Sequence, residues 1–378
     1  MTNSTLNNVV ISGTGLWTPE HSISNEELVV AYNGWAEKYN NEHKSQIENG
    51  ELTAKPFSSA EFITKASGIK SRYVYVKEGI LDINRMRPLI KERADDELSD
   101  QAEIGLFAAK EAMAAANKKA EDIDAVIVSC AYTQRSYPAI AIEIQDQLGI
   151  KGFGFDMLVA CSAATFALQR AVDMVAAGTA RSVLVINPEM ISSQINYCDR
   201  DSHFIFGDVA TAVIIEKQDT ATSEHVWNVA GIKAETVYSN NIRSNFGFVS
   251  RSNDSDPFAS DKLFHQNGRK VFKDVCPMAV RHMTDHLEDL GHPTTDVRRW
   301  WLHQANINMN TLITKRLLGH LPNTDTAPIV LDSYANTASA GSIIAFHLNQ
   351  KDLQSGDIGV VCSFGAGYSI GSLVLKKA

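Results

Sequence analysis

The sequence predicts an α/β fold made of two similar halves, and three observations carry that expectation. Short apolar runs alternate with helix-like stretches along the chain. The same local motifs recur in the same order in the first and second parts. With 378 residues and 44% hydrophobic content, the chain can bury a layered core rather than one sheet face.

In the first part, strand-like runs fall at 9–13, 125–131, 155–160, 182–187 and 212–216. In the second they fall at 227–234, 300–303, 328–332, 359–363 and 372–376. Between them lie helical patterns, one starting near Ser162 and another over 308–318. Residues 32–60 and about 76–98 are polar and charged, with helix-like pieces at 35–46 and 85–96, and read as insertions on the core.

The duplication extends to single residues. Phe155-Asp156 leads to Ala160-Cys161-Ser162-Ala163-Ala164, and Leu331-Asp332 leads to Ala335-Asn336-Thr337-Ala338-Ser339. Phe206-Gly207-Asp208 precedes the run at 212–216 as Phe364-Gly365-Ala366-Gly367 precedes that at 372–376. This predicts halves over 1–217 and 218–378, with Cys161 and Asn336 at equivalent junctions that face one another across a pseudo-twofold centre.

A formal net charge of −9 argues against bulk attraction to nucleic acid or anionic lipid, so an anionic partner needs a local basic patch. The five cysteines are scattered, without a CxxC pair or Cys/His cluster, so neither disulfides nor structural zinc are expected. The opening segment 1–8 lacks a basic region followed by an apolar stretch, and no run is long enough to span a bilayer. A cytoplasmic protein without membrane insertion is expected.

Cys161 sits where an apolar run meets a helix start, and backbone N–H groups there favour a thiolate and receive a developing oxyanion. His303 ends the run 300–303; a lone histidine is more often structural, but strand ends of α/β sheets are where reacting groups gather. Asn336 alone would pass for a helix cap.

Together, Val159-Ala160-Cys161-Ser162, Phe206-Gly207-Asp208, His303-Gln304-Ala305-Asn306, Asn336-Thr337 and Phe364-Gly365-Ala366-Gly367 resemble the motifs of thiolase-fold condensing enzymes. The resemblance is strongest to the β-ketoacyl-acyl-carrier-protein synthase III group. Elongating relatives resemble Cys-His-His, whereas this chain has Asn336 third; Cys362, two residues before Phe364, reads as a core thiol.

The resemblance implies a thiolase-like fold with duplicated halves in five αβαβα layers, a homodimer, and an acyltransferase of fatty acid biosynthesis. The implied reaction is a decarboxylative Claisen condensation of an acyl primer, on coenzyme A or a carrier protein, with malonyl-acyl-carrier protein. Cys161 would carry the acyl group, the N–H groups of Cys161 and Ala366 would form the oxyanion hole, and His303 and Asn336 would stabilise the enolate. Neither metal nor redox cofactor is implied. Relatives that serve secondary metabolism offer an alternative with the same Cys-His-Asn set, and a non-catalytic scaffold is a third reading that the intact set opposes.

Carried over by position, Arg200 matches an arginine that packs on the adenine of coenzyme A, and Phe62 stands where the group often has a tryptophan. Lys65 neighbours Ala66, which replaces a usual arginine, and Arg269 stands where an asparagine near the pantetheine is common. Phe206 and Phe364 belong to the same implied substrate wall. Tyr137 matches a position that reaches across the dimer interface to limit the acyl pocket. Asn308 replaces an arginine associated with carrier docking, which leaves Lys315 and Arg316 as candidates for that contact. The two insertions are expected to cover the entrance or extend the acyl tunnel, favouring a medium-chain primer.

Overall fold

The computed structural model describes residue 6, residues 8–256 and residues 259–378; most of the opening segment therefore lies outside the described residues. In chain order the first elements are β1 (Val9–Trp17), β2 (His21–Ser24), α1 (Asn25–Glu42), α2 (Lys44–Glu48), α3 (Ala60–Ser67), β3 (Ser71–Val74) and α4 (Asp100–Ala115). β4 (Ala125–Cys130), α5 (Ile140–Leu148), β5 (Phe153–Leu158), α6 (Ala163–Ala176), β6 (Ser182–Glu189) and β7 (Val209–Lys217) follow. Next come β8 (Trp227–Ser239), β9 (Ile242–Arg243), β10 (His265–Gln266), α7 (Gly268–Asp289), β11 (Val297–Leu302) and α8 (Ile307–Leu318). The chain closes with α9 (Leu331–Tyr334), α10 (Gly341–Leu348), β12 (Ile358–Gly365) and β13 (Gly367–Lys377).

Nine strands join in the order β5-β4-β6-β7-β1-β8-β13-β12-β11. The pairing pattern repeats outward from the β1–β8 contact. On each side two antiparallel pairings come first, β1–β7 and β7–β6 or β8–β13 and β13–β12, and a parallel one follows, β6–β4 or β12–β11.

Side-chain alternation sorts these strands into layers. In β4, Ala125 and Ile127 face one apolar cluster while Val126 and Val128 face another, so the whole strand is buried and reads as continuously apolar. The inner cluster joins Leu168 and Val172 of α6, Ile344 and Phe346 of α10, Val185 of β6 and Val361 of β12. Outside it, α4 and α5 cover the first half-sheet, with Ala109 and Ile144 against Val126 and Ile214. On the opposite side Val275 of α7 and Ile313 of α8 meet Val360 and Val374. The five layers are therefore helices, strands, helices, strands, helices. Cys362 is fully buried in the last of these clusters, as a core thiol.

Some expectations fail for identifiable reasons. Residues 328–332 do not form a strand beside β11. The N–H groups of Val330 and Leu331 donate instead to Oε1 of buried Gln304, at 3.1 and 3.3 Å, which replaces the ladder partner a strand would need. Residues 85–96 are irregular, not helical. Pro88 lies inside that stretch, and Arg93 pairs with Asp100 and Glu103 at the start of α4. The expected helix at 35–46 begins earlier, behind a capping box of Ser24 and Glu27, and breaks at His43 into α1 and α2. The strand expected over 155–160 spans 153–158.

Candidate active site

After β5 the chain makes one 3-10 turn over Ala160–Ser162 and enters α6. Ala160 has φ +46°, a left-handed conformation unusual for alanine, and it sets the direction in which Cys161 leaves the strand. The turn from β12 to β13 closes over the thiol. A side chain at Gly365 would place its Cβ 2.4 Å from Cys161 Cβ, so only glycine permits this approach. Ser162 Oγ donates to the Ser369 carbonyl at 2.8 Å and fixes the same contact. Burial, reinforced by the charge of Glu189, pushes the Cys161 thiol up to about 12, while backbone N–H groups of Ala366 and Cys161 oppose the rise. Those two N–H groups are the ones expected to form the oxyanion hole, and both reach the sulfur.

The second junction repeats this turn, but offset from the expected alignment: Ala338, with φ +48°, opens the 3-10 turn Ala338–Ala340 before α10, so Ser339 stands where Cys161 does and Asn336 lies three residues earlier, after Ala335 at φ +56°. Asn336 N–H donates to the Ile205 carbonyl at 2.9 Å, and its own carbonyl accepts from Gly207 N–H at 3.1 Å. Its side-chain Oδ1 accepts from Ala338 N–H at 2.9 Å. That bond fixes the amide orientation and leaves Nδ2 as the group available for donation.

His303 follows β11, with its backbone N–H donating to the Cys362 carbonyl at 2.8 Å and its ring edge-on to Phe364 at 5.4 Å. Burial lowers the imidazole to about 4, against a smaller opposing effect of the Ala338 backbone. The ring is therefore neutral at physiological pH and carries one N–H. Gln304, next in the chain, locks the loop by donating Nε2 to the Leu302 carbonyl at 2.9 Å.

Cys161, His303 and Asn336 line one cavity of about 260 Å³, together with Phe62, Phe206 and Phe364. Its remaining wall comes from the end of α3, the segment 201–205, the β9–β10 region, α7 and the start of α8, and no residue of 32–60 or 76–98 belongs to it. The first insertion meets the mouth instead. Arg200 lies flat over Phe62 at 3.8 Å and donates Nε to the Phe57 carbonyl at 2.8 Å. The strap carrying Phe57 is bound to α1 by reciprocal pairs: Asn33 with the Ser58 backbone and Asn40 with that of Lys55.

The other expected contacts lie outside the cavity wall. Lys65 and Arg269 are exposed beside lining residues Ala66 and Gly268. Lys315 and Arg316 are exposed on α8. Tyr137 is 78% exposed and does not line this cavity.

One residue at the centre has no counterpart in the sequence reading. Glu189, fully buried at the end of β6, accepts from Ala131 N–H at 3.1 Å and from both N–H and Oγ of Ser339. The available signal is a carboxylate closing a strand whose centre, Val183 to Ile186, is apolar.

Comparison with known proteins gives this arrangement its context. The family described as 3-oxoacyl-[acyl-carrier-protein (ACP)] synthase III matches residues 155–231, and its C-terminal part matches residues 287–377. A beta-ketodecanoyl-[acyl-carrier-protein] synthase of Pseudomonas aeruginosa is 53% identical over 347 residues, covering 92% of this chain and 99% of that protein. The chain belongs to the 3-oxoacyl-[acyl-carrier-protein] synthase III family. It is an acyltransferase-type condensing enzyme of fatty acid biosynthesis with a thiolase-like fold. The structure of a family member from Pseudomonas aeruginosa superposes with a TM-score of 0.75 at 22% identity, covering 98% of both chains. The priming beta-ketosynthase of the R1128 polyketide pathway gives 0.76 at 23% identity, covering 98% of this chain and 96% of that one. Among the described residues, no helix is long and apolar enough to cross a membrane.

Proposed function

We propose that this synthase condenses a medium-chain acyl primer, of about eight carbons, with malonyl-acyl-carrier protein. The observation that carries the chain length is the 53% identity to a protein named for a ten-carbon β-keto product. Decarboxylative condensation adds two carbons, so such a product requires an eight-carbon primer.

In the proposed sequence the Cys161 sulfur attacks the primer thioester carbonyl, and the Cys161 and Ala366 N–H groups hold the oxyanion. The bond to the carrier sulfur breaks, and the carrier thiol leaves with the proton that Cys161 gave up. A thiol that rests protonated is protected until a substrate with a leaving thiolate is bound. Malonyl thioester then enters past Phe206 and Phe364. His303 Nε2 and Asn336 Nδ2 donate to its carbonyl as carbon dioxide departs, and the resulting carbanion attacks acyl-Cys161 and expels the thiolate. Every charge is met by a side chain or backbone N–H, and the scheme calls on no metal or cofactor.

Arg200 and Phe62 would meet the nucleotide of a coenzyme A primer, with Lys65 and Arg269 beside its path; Lys315 and Arg316 would meet an acidic carrier protein. The enzyme would work in the cytoplasm as a homodimer. Supporting this, β5 is an unpaired sheet edge exposing Phe153 and Leu158, with exposed Tyr137 and Ile142 on neighbouring segments. The test is product analysis with malonyl-acyl-carrier protein and either octanoyl or acetyl thioesters. The ten-carbon β-keto product is expected; use of acetyl alone would overturn the primer assignment.

A further inference from the structure

We propose that Glu189 is a positioning residue for the decarboxylation half of the reaction: its carboxylate holds the turn behind Asn336. This rests on the role proposed for Asn336.

Glu189 bridges the segment after β4 and the turn behind Asn336. Oε1 accepts from Ser339 N–H at 3.1 Å and from Ser339 Oγ, and Oε2 accepts from Ala131 N–H at 3.1 Å. Ser339 lies one residue after Ala338, whose N–H orients the Asn336 amide. Through these two hydrogen bonds, joined by the Ala338–Ser339 backbone, the same carboxylate anchors the direction in which Asn336 Nδ2 points. All three partners are donors and they address both oxygens; an amide would turn an NH₂ toward one of them. Only a carboxylate satisfies the arrangement in full.

Its charge has no cationic counterpart at hydrogen-bond range in that set of partners. The titratable groups around it are Cys161 on the first junction, Cys130 at the end of β4, Tyr132 just after it, and Asp208 before β7. Burial pushes Glu189 up to about 7, with the donors from Ser339 and Ala131 opposing. Removing the carboxylate or the Ser339 anchor should disturb Asn336 and leave acyl transfer to Cys161 in place.

The test measures carbon dioxide release from malonyl-acyl-carrier protein and, separately, acyl transfer to Cys161 by intact mass, in the full-length enzyme. Glu189→Gln, Glu189→Asp and Ser339→Ala should each lose roughly tenfold or more in carbon dioxide release while acyl-Cys161 formation stays nearly unchanged. Unchanged carbon dioxide release in Glu189→Gln, or equal losses in both steps, would overturn the inference. Should Glu189→Gln fail to fold, the other two variants decide: unchanged carbon dioxide release in both overturns it. Failure of the underlying site reading is separate, because it appears as wild-type carbon dioxide release in Asn336→Ala.

Discussion

The two junctions that open α6 and α10 share a turn and differ in chemistry. Ala160 and Ala338 both take positive φ, each opens a 3-10 turn, and each turn leads into a buried helix, so Ser339 holds the place of Cys161 and Asn336 stands three residues earlier. Each junction is closed by a Phe-Gly turn from the other half. Gly365 of the second half leaves no room for a Cβ against Cys161, and Gly207 of the first half leaves none against the Tyr334 carbonyl, where a Cβ would come within 2.5 Å. Duplication supplied the frame twice; one copy presents a thiol to two N–H groups, the other an amide held by its oxygen. The difference teaches that the frame sets direction and the residue sets the reaction, so each junction should fail in its own step.

The largest effect should come from Asn336→Ala. Loss of one enolate donor should lower malonyl decarboxylation roughly a hundredfold to a thousandfold, with acyl transfer to Cys161 nearly unchanged. Measuring carbon dioxide release and acyl-enzyme formation separately checks it; equal losses in both would break the division between junctions. Gly365→Ala and Gly207→Ala sharpen the comparison at lower cost. Overpacking by one methyl should destabilise each variant by roughly 1–3 kcal/mol, but Gly365→Ala should impair acylation and Gly207→Ala decarboxylation. The reverse assignment would contradict the cross-bracing.

A third prediction concerns His303. Its folded pKa near 4 lies below the ordinary 6.5, so the folded state binds its proton less readily than the unfolded chain. Its contribution to stability is complete above about pH 6.5 and is lost as pH falls toward 4, by roughly 3 kcal/mol in all. His303→Gln should therefore lose less stability than wild type between those pH values, measured by denaturant titration. A parallel decline in the two proteins would place the imidazole outside this environment. The smallest effect is expected at the mouth: Asn33→Ala removes both bonds to Ser58, costs about 1–2 kcal/mol, and should change KM for a coenzyme A primer without changing kcat. A change confined to kcat would argue against a mouth contact.

Legibility in the sequence follows the range of the interactions. Fully buried strands such as β4 and β6 are apolar on both faces, so their positions could be read directly. The junction residues stood out because a thiol, an imidazole and an amide interrupt runs of small or apolar residues. The segment at 328–332 misled because its apolar pattern fits a strand, while the group that satisfies its backbone, Gln304, lies 26 residues away. The pairing of Arg200 with Phe57 spans 143 residues and the Glu189–Ser339 contact spans 150. No local periodicity reports contacts of that kind. Arg93 shows the same limit at shorter range: its helix-forming surroundings lost to ion pairs with α4.

The central claim is that Cys161 carries the acyl group and that the group is medium-chain. Intact-mass analysis of wild type and Cys161→Ala after incubation with octanoyl and acetyl thioesters tests it most directly. The account predicts one octanoyl adduct on wild type, a weaker acetyl adduct, and none on the variant; an adduct that persists in Cys161→Ala would contradict it.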